Sequence, residues 1–128
     1  ALRAPASLSV LPVLRSGAPT GRSSLPSAAL PPRLLYEGPV SGAGEVCDWS
    51  SARELARRTE LILAGGLDAG SVGAAIAAVG PFGVDVSSGV EAQPGIKSAE
   101  KIVRFVEAAR MAFGAQRGSQ MFKQENSR

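Results

Sequence analysis

The stretch ILAGGLDAGSVGAAIAAVGPFGVDVSSGVE, residues 62–91, decides the fold. It contains two short apolar runs, separated by a segment with helical periodicity. Each run ends in a glycine-bearing turn, the first at residues 65–66 and the second at residues 87–89. Short apolar strands that alternate with amphipathic helices predict parallel pairing with right-handed crossovers. Both turns are therefore expected at the same edge of one sheet.

The pattern upstream of this stretch is less regular. Residues 8–14, LSVLPVL, predict a short strand, and Pro12 favours an edge position or an irregular end for it. Residues 1–15 are therefore interpreted as a strand remnant. Residues 16–32 are rich in Pro, Ser, Gly and Ala and predict an irregular linker. Residues 33–38, RLLYEG, predict the next strand, which a glycine-bearing loop follows.

Two helices are predicted between the strands. The first begins at Ser51, which forms an S-x-x-E capping box with Glu54. Its polar face carries three arginines, Arg53, Arg57 and Arg58. The second helix is capped by Asp68. Its apolar residues fall on one face, which predicts that they are buried: Val72, Ile76 and Val79.

A third helix follows the loop that contains Pro94 and Gly95. Ser98 opens it, and residues 113–128 form a polar tail that is expected to fray. The side predicted to be buried carries Ile102, Phe105, Val106, Ala109 and Phe113. The order strand, helix, strand, helix, strand, helix predicts an α/β architecture with a parallel sheet.

Composition excludes several functional classes. The 14 basic and 11 acidic residues leave a formal charge of +3, and the arginines are scattered, which argues against nucleic-acid binding. The absence of histidine excludes the usual zinc sites and a serine triad. The single cysteine excludes an internal disulfide and fits a reducing compartment such as the cytoplasm. No apolar run approaches the ~20 residues of a membrane span, so no membrane partner is expected.

The two glycine-bearing turns predict a phosphate site. Glycine allows the backbone to approach an anion closely, and successive free N–H groups before a helix bind a phosphate dianion. The residues expected to bind phosphate are Gly65, Gly66, Ser87, Ser88 and Gly89. A lone glycine pair is more often a simple tight turn, but two such turns on consecutive strands favour the phosphate site.

Residues 33–112 contain the motifs LLYEGPVSGAGEVCDW, LILAGGL and PFGVDVSSGVEAQPGIKSAEKIVRFVEAAR. In these motifs the segment resembles the C-terminal part of phosphoribosylanthranilate isomerase, a (β/α)8 TIM barrel of tryptophan biosynthesis. The resemblance implies the C-terminal half of such a barrel. It also implies an Amadori rearrangement of N-(5-phosphoribosyl)anthranilate, an aldose–ketose isomerisation without cofactor or metal.

The resemblance also implies roles for individual residues. Glu37 stands where the family places its general acid, and residues 38–44 form a loop that folds over the substrate. Asp85 is expected to point inward, near the anthranilate amine or the sugar hydroxyls, although it could instead only brace neighbouring loops. Glu91 is expected to bracket its loop. Lys97 is either a solvated loop charge or a source of positive potential near the phosphate.

The sequence departs from the family pattern at Glu37, where most members have Asp, and in one further respect that bears on catalysis. The family's general base is a cysteine in a K-x-C-G motif at the first strand, and no such motif occurs here. Cys47 lies beside Asp48, which disfavours a thiolate, and is expected to pack near Trp49. The chain supplies at most four of eight strands, which predicts a fragment that retains phosphate affinity more readily than turnover.

Alternative functions remain open at this point. One is a non-catalytic phosphosugar-binding half-barrel or assembly module, which would associate with itself or with a missing N-terminal half. Another is a different phosphate-binding barrel enzyme, such as a relative of thiamine phosphate synthase or indole-glycerol-phosphate synthase. These families share the glycine cradle but not the motif GVDVSSGVE followed by PGIK.

Overall fold

A computed structural model describes residues 7–16, 29–38 and 49–125, and from residue 119 onward it describes the backbone alone. The strands are β1 (Val13–Arg15), β2 (Arg33–Glu37), β3 (Glu60–Ala64), β4 (Gly83–Val84), β5 (Glu91–Gln93) and β6 (Ile96–Lys97). The helices are α1 (Ser50–Ala56), α2 (Val72–Val79) and α3 (Ala99–Glu125), and a 3-10 turn covers Ser88–Val90.

Strands β1 to β4 form one parallel sheet in chain order. The register pairs Arg15 with Glu37, Glu37 with Ala64, and Leu63 with Val84. Over the described residues the sheet stays open, with β1 and β4 at its edges. The predicted parallel α/β architecture is confirmed. Strands β5 and β6 form a separate antiparallel hairpin, which the sequence analysis did not predict.

The core lies where α1, α2 and α3 pack on the sheet. Its fully buried side chains include Leu55 of α1, Leu61 and Leu63 of β3, and Ile76 of α2. The prediction for α2 is confirmed, since Val72, Ile76 and Val79 are all buried. The predicted cap of α2 by Asp68 is wrong, because the residue before the helix is Ser71 and no side-chain hydrogen bond caps this end. The Oδ1 atom of Asp68 instead accepts the N–H groups of Gly70 and Ser71, in the turn before the helix, at 2.9 and 2.8 Å.

The predicted capping box of α1 is wrong. The helix begins at Ser50, the residue before it is Trp49, and no side-chain hydrogen bond caps this end. The N–H of Arg53 donates to the carbonyl of Trp49 at 2.9 Å, so Ser51 already lies inside the first turn. A side chain caps a helix only from the position before the first turn, and the sequence pattern misplaced that position by two residues.

Two of the predicted contacts of α3 are also wrong. Phe105 and Ala109 are buried and Phe113 is half-buried, but Ile102 and Val106 are 40% and 39% exposed. Helical periodicity identifies an apolar face without specifying how much of that face another element covers. Ser98 opens the helix as predicted, because its Oγ accepts the N–H of Lys101 at 3.2 Å.

The chain ends differ from their predicted form. Strand β1 is confined to three residues after Pro12, shorter than the expected strand over residues 8–14. The tail was expected to fray from residue 113, whereas the backbone of α3 remains helical to Glu125. Residues 17–28 of the predicted linker and residues 39–48, with Cys47 and most of the predicted substrate loop, lie outside the described residues. No helix in the described part of the chain is long and apolar enough to cross a membrane.

Candidate anion-binding rim

The carboxyl ends of β2, β3 and β4 lie side by side. We call this edge the strand-end rim and define it as residues 37–38, 65–68 and 85–90. Parallel strands bring it together, because each crossover returns the chain to the opposite edge before the next strand begins. All seven residues predicted to form the site follow or end one of these strands, so the sheet gathers them at one edge.

The first glycine turn requires glycine for conformational and steric reasons. Gly65 and Gly66 have φ angles of +95° and +65°, in the region that side-chain-bearing residues rarely occupy. A Cβ atom on Gly65 would lie 2.9 Å from the carbonyl oxygen of Gly38. The turn after β3 therefore packs against the residue that follows β2.

The second glycine turn packs against the first. A Cβ atom on Gly89 would overlap the carbonyl oxygen of Leu67 and would lie 3.2 Å from the Cα atom of Asp68. Only glycine permits this approach of the two backbones. The predicted proximity of the two turns is therefore observed.

Backbone N–H groups are available where the two turns meet. Within the described residues, the amides of Gly66, Ser88 and Gly89 donate no hydrogen bond, whereas the Val90 amide donates to Ser87 O at 3.4 Å. Ser88 is exposed and Gly89 is half-buried, so solvent reaches this part of the rim. Neighbouring backbone amides without a partner can bind an anion when their N–H groups point to a common place.

The candidate acid, Glu37, ends β2 at the same rim. Its Oε2 atom lies 2.6 Å from Nε of Arg15, the residue paired with it on β1. The two side chains are 40% and 73% exposed, so this ion pair is open to solvent. Sequence reasoning missed Arg15, although the register of two parallel strands that end in Arg and Glu is the signal that could have identified it.

Asp85 lies at the strand-end rim. Strand β4 ends at Val84, so Asp85 follows the strand rather than lying within it, and its side chain is exposed. Its backbone N–H still donates to the carbonyl oxygen of Leu63 at 2.9 Å. The strand is short because β4 pairs only with β3 among the described residues. The position at the rim agrees with the prediction, and the direction of the side chain toward a substrate stays a prediction.

Two charged residues brace the second turn. Lys97 Nζ donates to Ser87 O at 2.8 Å and lies 3.8 Å from Oε1 of Glu91. Glu91 Oε2 accepts the N–H of Gly95 at 2.7 Å, so Glu91 brackets its own loop as predicted. Lys97 thus contacts the candidate phosphate turn directly and is not simply a solvated loop charge.

The groups at the rim include backbone amides and the carboxylates of Glu37, Asp68 and Asp85. Within the described ranges, no group of three or more His, Cys, Asp or Glu side chains could hold a metal ion. The rim offers backbone amides, one carboxylate paired with an arginine, and a nearby ammonium group.

Comparison with known proteins identifies the family. The model of the N-(5'-phosphoribosyl)anthranilate (PRA) isomerase family matches residues 28–108. The chain belongs to this family. An N-(5'-phosphoribosyl)anthranilate isomerase from Azorhizobium caulinodans is 40% identical over 98% of the chain and 58% of its own length. Another from Roseiflexus sp. is 56% identical over 62% of the chain and 39% of its own length.

Solved structures of the same family share the fold. The phosphoribosyl anthranilate isomerase of Thermotoga maritima is 40% identical, with a TM-score of 0.55 over 61% of this chain and 40% of that one. Another solved structure, of a phosphoribosyl anthranilate isomerase in complex with reduced 1-(o-carboxyphenylamino)-1-deoxyribulose 5-phosphate, is 39% identical, with a TM-score of 0.52 over 61% of this chain and 37% of that one. The chain therefore spans well under two thirds of the length of these relatives.

Proposed function

We propose that the chain provides the phosphate cradle and the general acid for the isomerisation of N-(5'-phosphoribosyl)anthranilate in tryptophan biosynthesis, in the cytoplasm. The contact of Gly89 with the backbone of Leu67 supports this proposal, because it brings the two glycine turns together, and the first turn also packs against Gly38, the residue after Glu37. Membership of the isomerase family supports it. The substrate class is a phosphorylated sugar joined to an aromatic amine.

In the proposed reaction, Gly65, Gly66, Ser87, Ser88 and Gly89 hold the 5-phosphate through backbone N–H groups. Glu37 donates a proton to the furanose ring oxygen, and the bond between that oxygen and C1 breaks as the amine nitrogen forms a double bond to C1. A base then removes the proton from C2, and the resulting enolamine tautomerises to the ketose. Asp85 contacts the amine or the sugar hydroxyls.

No motif of the chain supplies a candidate for the catalytic base, since the sequence contains no K-x-C-G. We therefore infer that the chain by itself binds phosphate esters more readily than it turns them over. Ribose 5-phosphate binding by calorimetry and isomerase turnover by fluorescence measure the two properties separately. Turnover is followed with and without a separately expressed N-terminal segment of a full-length relative that carries the missing motif.

The Glu37→Gln variant tests the acid. Loss of a general acid lowers turnover by about 10²–10⁴-fold, whereas ribose 5-phosphate binding is expected to persist. Glu60→Gln is the matched control, because Glu60 also pairs with an arginine, at 2.6 Å from Arg33, but lies at the opposite end of the sheet. Turnover unaffected by Glu37→Gln contradicts the acid role, and strong turnover by the chain alone contradicts the inference about the base.

A second candidate function is a non-catalytic phosphosugar-binding or assembly half-barrel. The exposed apolar residues at the β1 edge favour it: Leu8, Val10, Leu11 and Val13. Binding of ribose 5-phosphate together with dimer formation, and without isomerisation in the presence of the added segment, supports this function over the first.

A further inference from the structure

Two lysines lie at the two ends of the turn that covers Ser88–Val90. Lys97 Nζ donates to the carbonyl oxygen of Ser87, just before the turn, at 2.8 Å, and lies 3.4 Å from the hydroxyl oxygen of the same residue. Lys101 Nζ donates to the carbonyl oxygen of Glu91, just after the turn, at 2.8 Å. We call this pair of contacts the lysine clasp.

The backbone hydrogen bond that the Ser87 carbonyl accepts within the turn is long, while the turn's other backbone bond runs from the N–H of Glu91 to the carbonyl of Ser88. The N–H of Val90 and the carbonyl oxygen of Ser87 are 3.4 Å apart, beyond the usual 2.7–3.2 Å for such a bond. The same carbonyl oxygen accepts the charged Lys97 donor at the shorter distance of 2.8 Å. Hydrogen bonds from charged donors are the stronger kind, so Lys97 fixes this carbonyl more firmly than the turn itself does.

Lys97 is held in place by its surroundings. It lies on β6, and Glu91 on the paired strand β5 has its Oε1 atom 3.8 Å from the ammonium group. Glu91 is in turn fixed by the N–H of Gly95 at 2.7 Å. The hairpin therefore carries an ammonium group whose position relative to the turn is defined.

We propose that Lys97 is a positioning residue for a phosphate monoester. By holding the carbonyl of Ser87, Lys97 keeps the peptide planes of the turn oriented so that the amides of Ser88 and Gly89 remain available to an anion. The inference rests on the proposed function, because it concerns the same phosphate cradle. Lys97 acts through the backbone rather than as a phosphate ligand.

Binding of inorganic phosphate and of ribose 5-phosphate to the full chain tests the proposal. Lys97→Met keeps the aliphatic stem and removes the charged donor, and it is expected to weaken binding about tenfold, the effect of losing one charged hydrogen bond. Lys97→Arg restores a charged donor and is expected to recover most of the affinity. Arg104→Met is the matched control, since Arg104 pairs with Glu100 on α3 and does not contact the turn.

Amide hydrogen exchange without any phosphate provides a second measurement. Lys97→Met is expected to accelerate exchange at Val90, whose N–H bonds the same Ser87 carbonyl, while the urea midpoint of the whole chain stays unchanged. The loss of affinity is also expected to persist in high salt, because a change in turn geometry is not screened as a simple charge effect is.

The outcomes separate the two proposals. If the wild-type chain binds neither phosphate nor ribose 5-phosphate, the proposed function fails and the role of Lys97 fails with it. If the wild type binds but Lys97→Met binds equally well, or exchange at Val90 is unchanged, only the positioning role is overturned. If Arg104→Met weakens binding as much as Lys97→Met, the effect is one of net charge and the positioning role is again overturned.

Discussion

Single residues decide whether the strand-end rim can form. Gly89 leaves no room for a side chain against Leu67, and Gly65 combines a positive φ with a close approach to Gly38. Such contacts fix the distance between neighbouring turns more tightly than apolar packing does, because backbone atoms cannot move aside independently. The glycines of the rim are therefore required by its geometry, whatever the rim binds.

Gly89→Ala is expected to lower the stability of the chain and to abolish phosphate binding. The added methyl group overlaps the carbonyl of Leu67, and overpacking of this kind costs about 1–3 kcal/mol in the free energy of unfolding. Urea unfolding followed by circular dichroism measures the change, and calorimetry measures phosphate binding.

Gly73→Ala is the control for that experiment. Gly73 lies inside α2, and no atom lies within 4 Å of a Cβ built there. Replacing this glycine is expected to stabilise the chain by about 0.5–1 kcal/mol through helix propensity. Equal changes in the free energy of unfolding for the two substitutions would contradict the requirement for glycine at position 89.

The residues of the rim were predictable from sequence to different degrees. The common position of Gly65, Gly66 and Gly89 at one edge of the sheet could be predicted, because these glycines follow consecutive parallel strands. The contacts of Lys97 and Lys101 could not, because long flexible side chains reach partners that sequence spacing does not specify. The functional roles of Glu37, Asp85 and the phosphate-binding residues stay predictions.

At the scale of helices, the sequence identified which face is apolar better than where each helix begins. The face of α2 is buried as predicted, because α1 and α3 both pack against this helix. The start of α1 is misplaced, because its S-x-x-E pattern is local and carries no information on backbone dihedral angles. Ser98 is a true cap by its hydrogen bond to the N–H of Lys101.

This difference between the two serines can be measured. Ser98→Ala is expected to lower the free energy of unfolding by about 0.5–2 kcal/mol, the usual cost of removing an N-cap side chain. Ser51→Ala is expected to change it by less than about 0.5 kcal/mol, because Ser51 is an exposed residue inside the helix. Thermal unfolding measures the stability of both variants. A large loss of stability in Ser51→Ala would show that Ser51 caps α1 after all.

For the whole molecule, the sequence predicted a parallel sheet because crossover connections of this length leave few other topologies. The alternation of strands and helices does not determine whether the sheet closes, since closure depends on further strands. The described sheet is open, and the apolar side chains of β1 and of the segment before it are largely exposed. An open edge with exposed apolar residues is a surface to which another chain can add.

We expect the isolated chain to self-associate through the β1 edge. Val13 is 55% exposed on this edge strand, and Val13→Lys places a charge there that opposes edge-to-edge pairing. Sedimentation velocity over a concentration series is expected to show a dimer or larger species for the wild type and a monomer for Val13→Lys.

Met111→Lys is the matched control for self-association, because Met111 is 79% exposed on α3 and is therefore an equally accessible apolar side chain away from the sheet. This variant is expected to associate as the wild type does. If the wild type is monomeric throughout the series, the β1 edge is not an interface between copies of the chain. If both lysine variants dissociate to the same extent, general surface hydrophobicity drives association and the edge strand has no particular part in it.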